Sequence, residues 1–239
     1  MGFSIIPVEE LNIPLRRSSG KESNIERFSA STLVFLFDLH EPPTAYVLLH
    51  KRALLGKEEN GNDKPNSWAF SWGPPGGSQE IFDKTILNTA KRETEEEVNL
   101  HGSRVSRLVY RDSWMHKGVQ MARYTFPLEV DEQLKVQRRW CDRKQQPVGR
   151  NEGPIRLRED EHLDYCWATE AQIRDSSLYN EKNPQHQREL VMLESKEMIL
   201  HAFTRLKNSQ LDDIRSVHRL MMEYYLSGES SEMHRLRSH

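Results

Sequence analysis

A chain of 239 residues with 36% hydrophobic and 29% charged positions carries enough apolar residues for one core, and its length suits one large domain or one domain with an appendage. The formal net charge of -2 gives no global pull toward nucleic acid or membrane. No apolar run approaches the roughly 20 residues that a membrane helix needs, and the two cysteines, Cys141 and Cys166, fit no zinc spacing and point to a reducing compartment.

In chain order, residues 1–29 read as an N-terminal arm with a polar stretch, RRSSGKES. Its apolar positions are interrupted by Pro7, Glu9, Glu10 and Pro14, which makes a poor secretory signal, and Ile6 stands where a myristoylation signal needs Ser or Thr. The expected location is the cytoplasm. STLVFLFDL, 31–39, is a nearly continuous apolar run of strand length, and TAYVLLHKR, 44–52, is a second, joined to it as a hairpin through Pro42 and Pro43. A polar loop is expected over 57–67, and WAFSW, 68–72, alternates as a strand does. Ile86, Leu87, Ala90 and Val98 mark one face of a helix running from Asp83, a good N-cap, to Val98. Asn99 falls where a left-handed C-cap residue is expected.

Two strands follow, SRVSRLVYRDSW and VQMARYTFPLEV, bridged by a turn at Gly118. A long irregular segment occupies 131–161, and LDYCWAT, 163–169, returns as a strand with a short helix starting at Thr169. Helical periodicity then covers 185–207 and 210–226, and the tail is expected to be disordered. The fold class is therefore α+β, with a mixed sheet in layers and C-terminal helices. The chain divides into an arm (1–29), a central domain (30–180) and a helical extension (181–239).

The stretch PPGGSQEIFDKTILNTAKRETEEEVNL, 74–100, carries the chemistry. Glu93, Glu96 and Glu97 stand at i, i+3 and i+4, so their carboxylates converge on one helix face, while Glu95 points elsewhere. Like charges at that spacing repel by about 0.2–0.5 kcal/mol per pair unless a cation sits among them. Carboxylate oxygens with water suit Mg²⁺ or Mn²⁺. Pro75, Gly76 and Gly77 bend the chain tightly before the helix, and Arg92 can fork onto a carboxylate. The competing reading is a solvated charged face; a Gly-Gly turn followed at fixed distance by Arg-Glu and a Glu-Glu pair weighs against it.

With those residues in place, the stretch resembles the Nudix box, in which a Gly is followed by a Glu and then by Arg-Glu-apolar-x-Glu-Glu-x-Gly-apolar. The resemblance covers roughly residues 30–178. It implies a Nudix-like α/β/α sandwich and hydrolysis of a diphosphate linked to another moiety, with Mg²⁺ or Mn²⁺ as cofactor. Carried over, Glu93, Glu96 and Glu97 would hold metal, with Gly76 as a further ligand, and Arg92 would orient a glutamate. Four departures stand out: there is one residue too many between Gly77 and Arg92 for the common spacing of the box, and three positions differ. Lys84 occupies the position of the box's first Glu, with Asp83 and Glu80 nearby as substitutes; Thr94 replaces an apolar residue; and Asn99 replaces Gly.

Outside the stretch, Glu161 is the candidate general base or extra ligand, with His162 beside it. Arg52, ending a strand, and Arg138, Arg139 and Arg143, in a locally basic segment with Trp140, are candidates for gripping substrate phosphate, against a reading of that segment as a solvated insertion. The expected function is a metal-dependent pyrophosphohydrolase acting on a small anionic diphosphate such as a nucleoside diphosphate derivative, with a prenyl diphosphate as a weaker option. The alternative is a non-catalytic module binding a nucleotide, RNA or a protein, with RNA not favoured and no membrane partner expected. The substrate's identity and the oligomeric state are not legible.

Overall fold

A computed structural model describes residues 3–7, 11, 26–38, 44–57, 63–65, 69–116, 118–131, 154–175 and 193–207. Arg138, Arg139 and Arg143, the second C-terminal helix and the tail lie outside the described residues. The main sheet has nine strands among them, built on the path β1-β9-β10-β2-β3-β11. These are β1 (Phe3–Pro7), β9 (Leu108–His116), β10 (Val119–Val130), β2 (Glu26–Asp38), β3 (Thr44–Arg52) and β11 (His162–Thr169). Short strands β6 (Trp72–Gly73), β7 (Gly76–Ser78) and β8 (Gly102–Val105) pair with β3, β2 and β10. The β10–β2 pairing is parallel and the others are antiparallel, so the sheet is mixed.

Both faces of β2 and β3 are buried, which is why their sequences read as continuous apolar runs. Leu33, Phe35, Val47 and Leu49 point to one face, where α2 (Glu170–Asp175) and α3 (Leu193–Lys207) add Ile173, Met198, Ile199, Ala202, Phe203 and Leu206. Val34, Leu36, Tyr46 and Leu48 point to the other, where α1 (Ile86–Val98) ends in Val98 and Leu100 follows it. Ala30, Val109, Ala122, Tyr124 and Phe126 continue that second face beneath Ile86 and Ala90. Helices thus cover both sides of a mixed sheet, the layered sandwich expected. No helix among the described residues is long and apolar enough to cross a membrane.

Several boundaries differ from the sequence reading. β2 begins at Glu26, inside the stretch read as an arm, and β1 pairs with β9 at the sheet's edge. The expected polar loop holds a small hairpin, β4 (Leu55–Lys57) with β5 (Asp63–Pro65). Of the described part of WAFSW, 69–72, only Trp72 is strand: Phe70 has a φ of 63°, a left-handed backbone that breaks the alternation, and Ala69 and Phe70 form a turn. Helix α1 starts two residues later than expected. Its N-cap is Thr85, which accepts from the Asn88 amide while the Asn88 side chain accepts from the Thr85 amide, a capping box. At the far end Asn99 adopts the left-handed conformation, φ 58°, as the C-cap. Gly118 likewise takes a positive φ, 77°, in the β9–β10 turn.

Candidate active site

Helix α1 presents Glu93 and Glu97 one turn apart against the turn that carries Gly76 and Gly77. The two glycines are there for space. A Cβ at Gly76 would lie 2.3 Å from the Ala30 carbonyl oxygen, and one at Gly77 would lie 2.5 Å from the Glu93 carboxylate. Their absence lets β7 pair with β2 and lets the glutamates reach the backbone. The Gly76 amide then donates to Glu97 Oε2 at 2.6 Å.

Asp83 is not the helix cap; its carboxylate has another use. It accepts from Arg92 Nε at 3.2 Å and from Arg92 Nη2 at 2.9 Å, a forked contact, and also from the Glu80 amide and the Thr89 hydroxyl. Burial works to raise the Asp83 carboxyl, but the hydrogen bonds from Arg92, Glu80 and Thr89 outweigh it and hold the carboxyl below its ordinary value of 3.8. Lys84, by contrast, is exposed. One residue before it, the Asp83 carboxylate lies 2.9 Å from Arg92 Nη2.

Arg92 is the hub of the cluster. Its Nη1 lies 2.9 Å from Glu93 Oε1 and 3.1 Å from Glu96 Oε2, and its Nη2 donates to the Ser78 carbonyl. Burial opposes its charge, but Asp83, Glu93 and Glu96 more than compensate and keep it protonated. Glu93 is pushed up to about 8, first by burial and then by the nearby Glu97 charge, with Arg92 pulling the other way. Such a carboxylate is short of positive charge, which is the condition a bound cation would relieve. Glu96 is more exposed and lies 3.9 Å from Arg158 Nη1, which also reaches Glu161 Oε1 at 3.3 Å. Arg158 therefore brings the candidate base Glu161 to the edge of the carboxylate cluster.

Beneath the cluster lies a pair of histidines. His50, on β3, is 0% exposed, and His162, at the start of β11, is 2% exposed. Alternation along β3 puts His50 on the same face as Tyr46 and Leu48, toward α1. His162 joins it because of a β-bulge: His162 pairs with Arg52 and Asp164 with Lys51, leaving Leu163 as the extra residue. The bulge turns His162 to the face of His50. Their Nδ1 atoms are 2.7 Å apart. His50 Nε2 lies 3.1 Å from the Pro74 carbonyl and 3.4 Å from Glu97 Oε2, and His162 Nε2 lies 3.1 Å from Glu97 Oε1. Burial pushes His50 down to about 3, so its ring is neutral near pH 7. Glu97, against the cost of its own burial, is held well below the usual carboxylate range by His50, His162 and Arg52. His50, Glu97 and His162 form a group of metal-capable donors, all buried.

Thr94, in place of an apolar residue, is fully buried and bonds Thr32 Oγ1 at 2.7 Å and the Ala90 carbonyl at 2.8 Å. The polar substitution is thus matched by a second hydroxyl across the interface. Arg52 sits near Glu97, and its Nε is buried without a hydrogen-bond partner. His50 and the forked Asp83–Arg92 contact were not singled out by sequence. A histidine in the otherwise apolar run YVLLH was the available signal for the first.

A family model of the NUDIX domain matches residues 27–193. No curated protein matches the sequence. Among solved structures, a mutT/nudix family protein from Listeria innocua is 16% identical with a TM-score of 0.45, over 77% of this chain and 96% of that one. An Ap4A hydrolase from C. elegans, solved as a binary complex, is 14% identical with a TM-score of 0.40, over 65% of this chain and 89% of that one. A MutT NUDIX hydrolase from Burkholderia pseudomallei is 15% identical with a TM-score of 0.39, over 61% and 84%.

Proposed function

The chain belongs to the NUDIX family, and from that premise we propose that it is a Mg²⁺- or Mn²⁺-dependent hydrolase of a pyrophosphate linkage in a small anionic diphosphate, a nucleoside diphosphate derivative being the first candidate. The observation that carries this reading is the gathering of Glu93, Glu96 and the Asp83 carboxylate around one guanidinium, Arg92, with Glu97 anchored beneath them on the Gly76 amide. This is a costly arrangement of like charge for a purely structural helix.

Glu93, Glu96 and Glu97 would hold the metal; the buried, charge-deficient Glu93 carboxylate fits a cation there. The ion would polarise the phosphoryl oxygens and ease deprotonation of the attacking water. The chain's own residues do the rest. The Gly76 amide fixes one Glu97 oxygen. Arg92, locked by Asp83, keeps Glu93 and Glu96 in place. Glu161 is the proposed acceptor of the water's proton, and Arg158, between Glu96 and Glu161, sets its orientation. Arg52, with a buried Nε lacking an acceptor, is the proposed phosphate contact within the described residues. Arg138, Arg139 and Arg143 remain proposed contacts on sequence grounds. The binding-module alternative rests on Lys84 standing where a carboxylate was expected, and the Asp83–Arg92 fork leaves it without that observation.

The test is a panel of nucleoside diphosphate derivatives and dinucleoside polyphosphates with Mg²⁺ or Mn²⁺, run beside Glu97→Gln. We expect metal-dependent release of phosphate or monophosphate, lowered by at least about a hundredfold in the variant. No turnover across the panel, with nucleotide binding unchanged in Glu97→Gln, would overturn the hydrolase reading.

A further inference from the structure

The buried pair His50 and His162 packs its ring nitrogens against the Glu97 carboxylate. His50 Nε2 lies 3.1 Å from the Pro74 carbonyl and 3.4 Å from Glu97 Oε2. The Nδ1 atoms of the two rings are 2.7 Å apart. His162 Nε2 lies 3.1 Å from Glu97 Oε1. The three residues offer ligand atoms that all lie within 4.8 Å of one another, and all three are buried.

His162 Nε2, on a residue 2% exposed, is buried without a hydrogen-bond partner among the described residues despite the nearness of Oε1. The spacing fits two ligands of one ion. Bond lengths near 2.1 Å to nitrogen and oxygen put neighbouring ligand atoms about 3.0–3.4 Å apart in octahedral or tetrahedral geometry. The 3.1 Å between His162 Nε2 and Glu97 Oε1 lies in that range. The remaining contacts then fit without change. Glu97 Oε2 stays on the Gly76 amide, and His162 Nδ1 stays on His50 Nδ1. A metal-bound histidine commonly has its second ring nitrogen fixed by such a partner. Glu93, one turn earlier on α1 and more exposed, marks the side of entry.

We propose that His162 Nε2 and Glu97 Oε1 are ligands of a divalent metal ion, with His50 as a positioning residue, which places an imidazole nitrogen in a site otherwise made of carboxylates. Imidazole is a poor partner for Mg²⁺ and a good one for softer ions, so this position takes Mn²⁺, Zn²⁺ or Fe²⁺ ahead of Mg²⁺. The inference rests on the metal-dependent reading above in sharing Glu97, and it is tested without turnover.

The full chain is titrated with Mn²⁺, and the bound ion is examined by electron spin-echo envelope modulation. The expected result is nitrogen modulation from a directly bound imidazole, absent in His162→Gln, with Mn²⁺ affinity lowered at least about tenfold there. His50→Gln keeps the nitrogen signal and binds about 10–100-fold more weakly, as loss of an orienting partner does. Circular dichroism checks that both variants fold. Bound Mn²⁺ without nitrogen coupling in the unaltered chain overturns the inference and leaves the hydrolase reading standing. Nitrogen coupling in a protein that turns over no diphosphate supports the inference and overturns the other. Absence of Mn²⁺ binding overturns both.

Discussion

On the sheet face covered by α3, strands β2 and β3 contribute Leu33, Phe35, Val47 and Leu49, and the helix answers with Met198, Ile199, Ala202, Phe203 and Leu206. On the face covered by α1, the same two strands contribute Thr32, Val34, Leu48 and His50, and that helix answers with Thr94, Glu97 and Val98. Adjacent residues of one strand thus enter two different environments. The α3 face is mostly hydrocarbon, and Phe35 meets Phe203 edge to face with centroids 5.5 Å apart. The α1 face buries a carboxylate, two imidazoles and a pair of hydroxyls, each of which costs free energy unless it is partnered. One face holds the fold together, and the other spends part of that stability on holding charged groups in fixed positions. A sheet buried on both sides can do this because the apolar face stabilises the strands that carry the polar one.

The largest effect that would sharpen this contrast is expected from Phe203→Ala. Removing a fully packed aromatic ring from the α3 face should cost about 3–5 kcal/mol of stability, measured by urea unfolding. Mn²⁺ affinity of the molecules that remain folded should not change. A drop in metal affinity without unfolding would mean that the two faces are coupled through β2 and β3, and the contrast would fail.

A smaller effect is expected on the other face from Asp83→Asn. The amide cannot reproduce the carboxylate's fork with Arg92, so we expect a loss of about 1–3 kcal/mol and a lower rate, because Arg92 no longer holds Glu93 and Glu96 in place. The pH dependence has a definite sign. The folded Asp83 carboxyl lies below its ordinary value of 3.8. Its contribution is therefore fully present above that value and is lost as pH falls through the lower folded one. Unfolding curves of the unaltered protein and the variant should be furthest apart at neutral pH and draw together in strong acid. A gap that is constant over that range would mean that Asp83 acts by packing and not by charge.

How much of this was legible in the sequence follows the same division. The hydrocarbon runs of β2 and β3 announce buried strands, and Asn99 announces the C-cap because few residues tolerate a left-handed backbone. The convergence of Glu93, Glu96 and Glu97 follows from helix spacing alone. What was not legible depended on distant partners. Asp83 and Thr85 are both good capping types, and only the presence of Arg92, nine residues on, decides that Asp83 is taken and Thr85 caps. WAFSW alternates like a strand, but Phe70 turns left-handed there. His162 reaches His50 through a bulge, and nothing local in EHLDYC marks Leu163 as the extra residue. The fold was readable where a segment's own pattern decides it, and the site was readable only as far as one helix carries it.

The smallest expected effect tests whether the missing carboxylate is missing at all. If position 84 were a vacated catalytic position, Lys84→Glu would restore a ligand and raise the rate. Lys84, however, is exposed, and the contact with Arg92 is already made by Asp83 at 2.9 Å. The new glutamate would stand just outside the Thr85 cap, where it meets only the positive end of the α1 dipole. We therefore expect a rate unchanged within about twofold, and a stability gain of about 0.3–1 kcal/mol from the helix terminus. A rate increase of tenfold or more would show that Asp83 fills the position only in part, and that the polar face still lacks a charge that its family's pattern would supply.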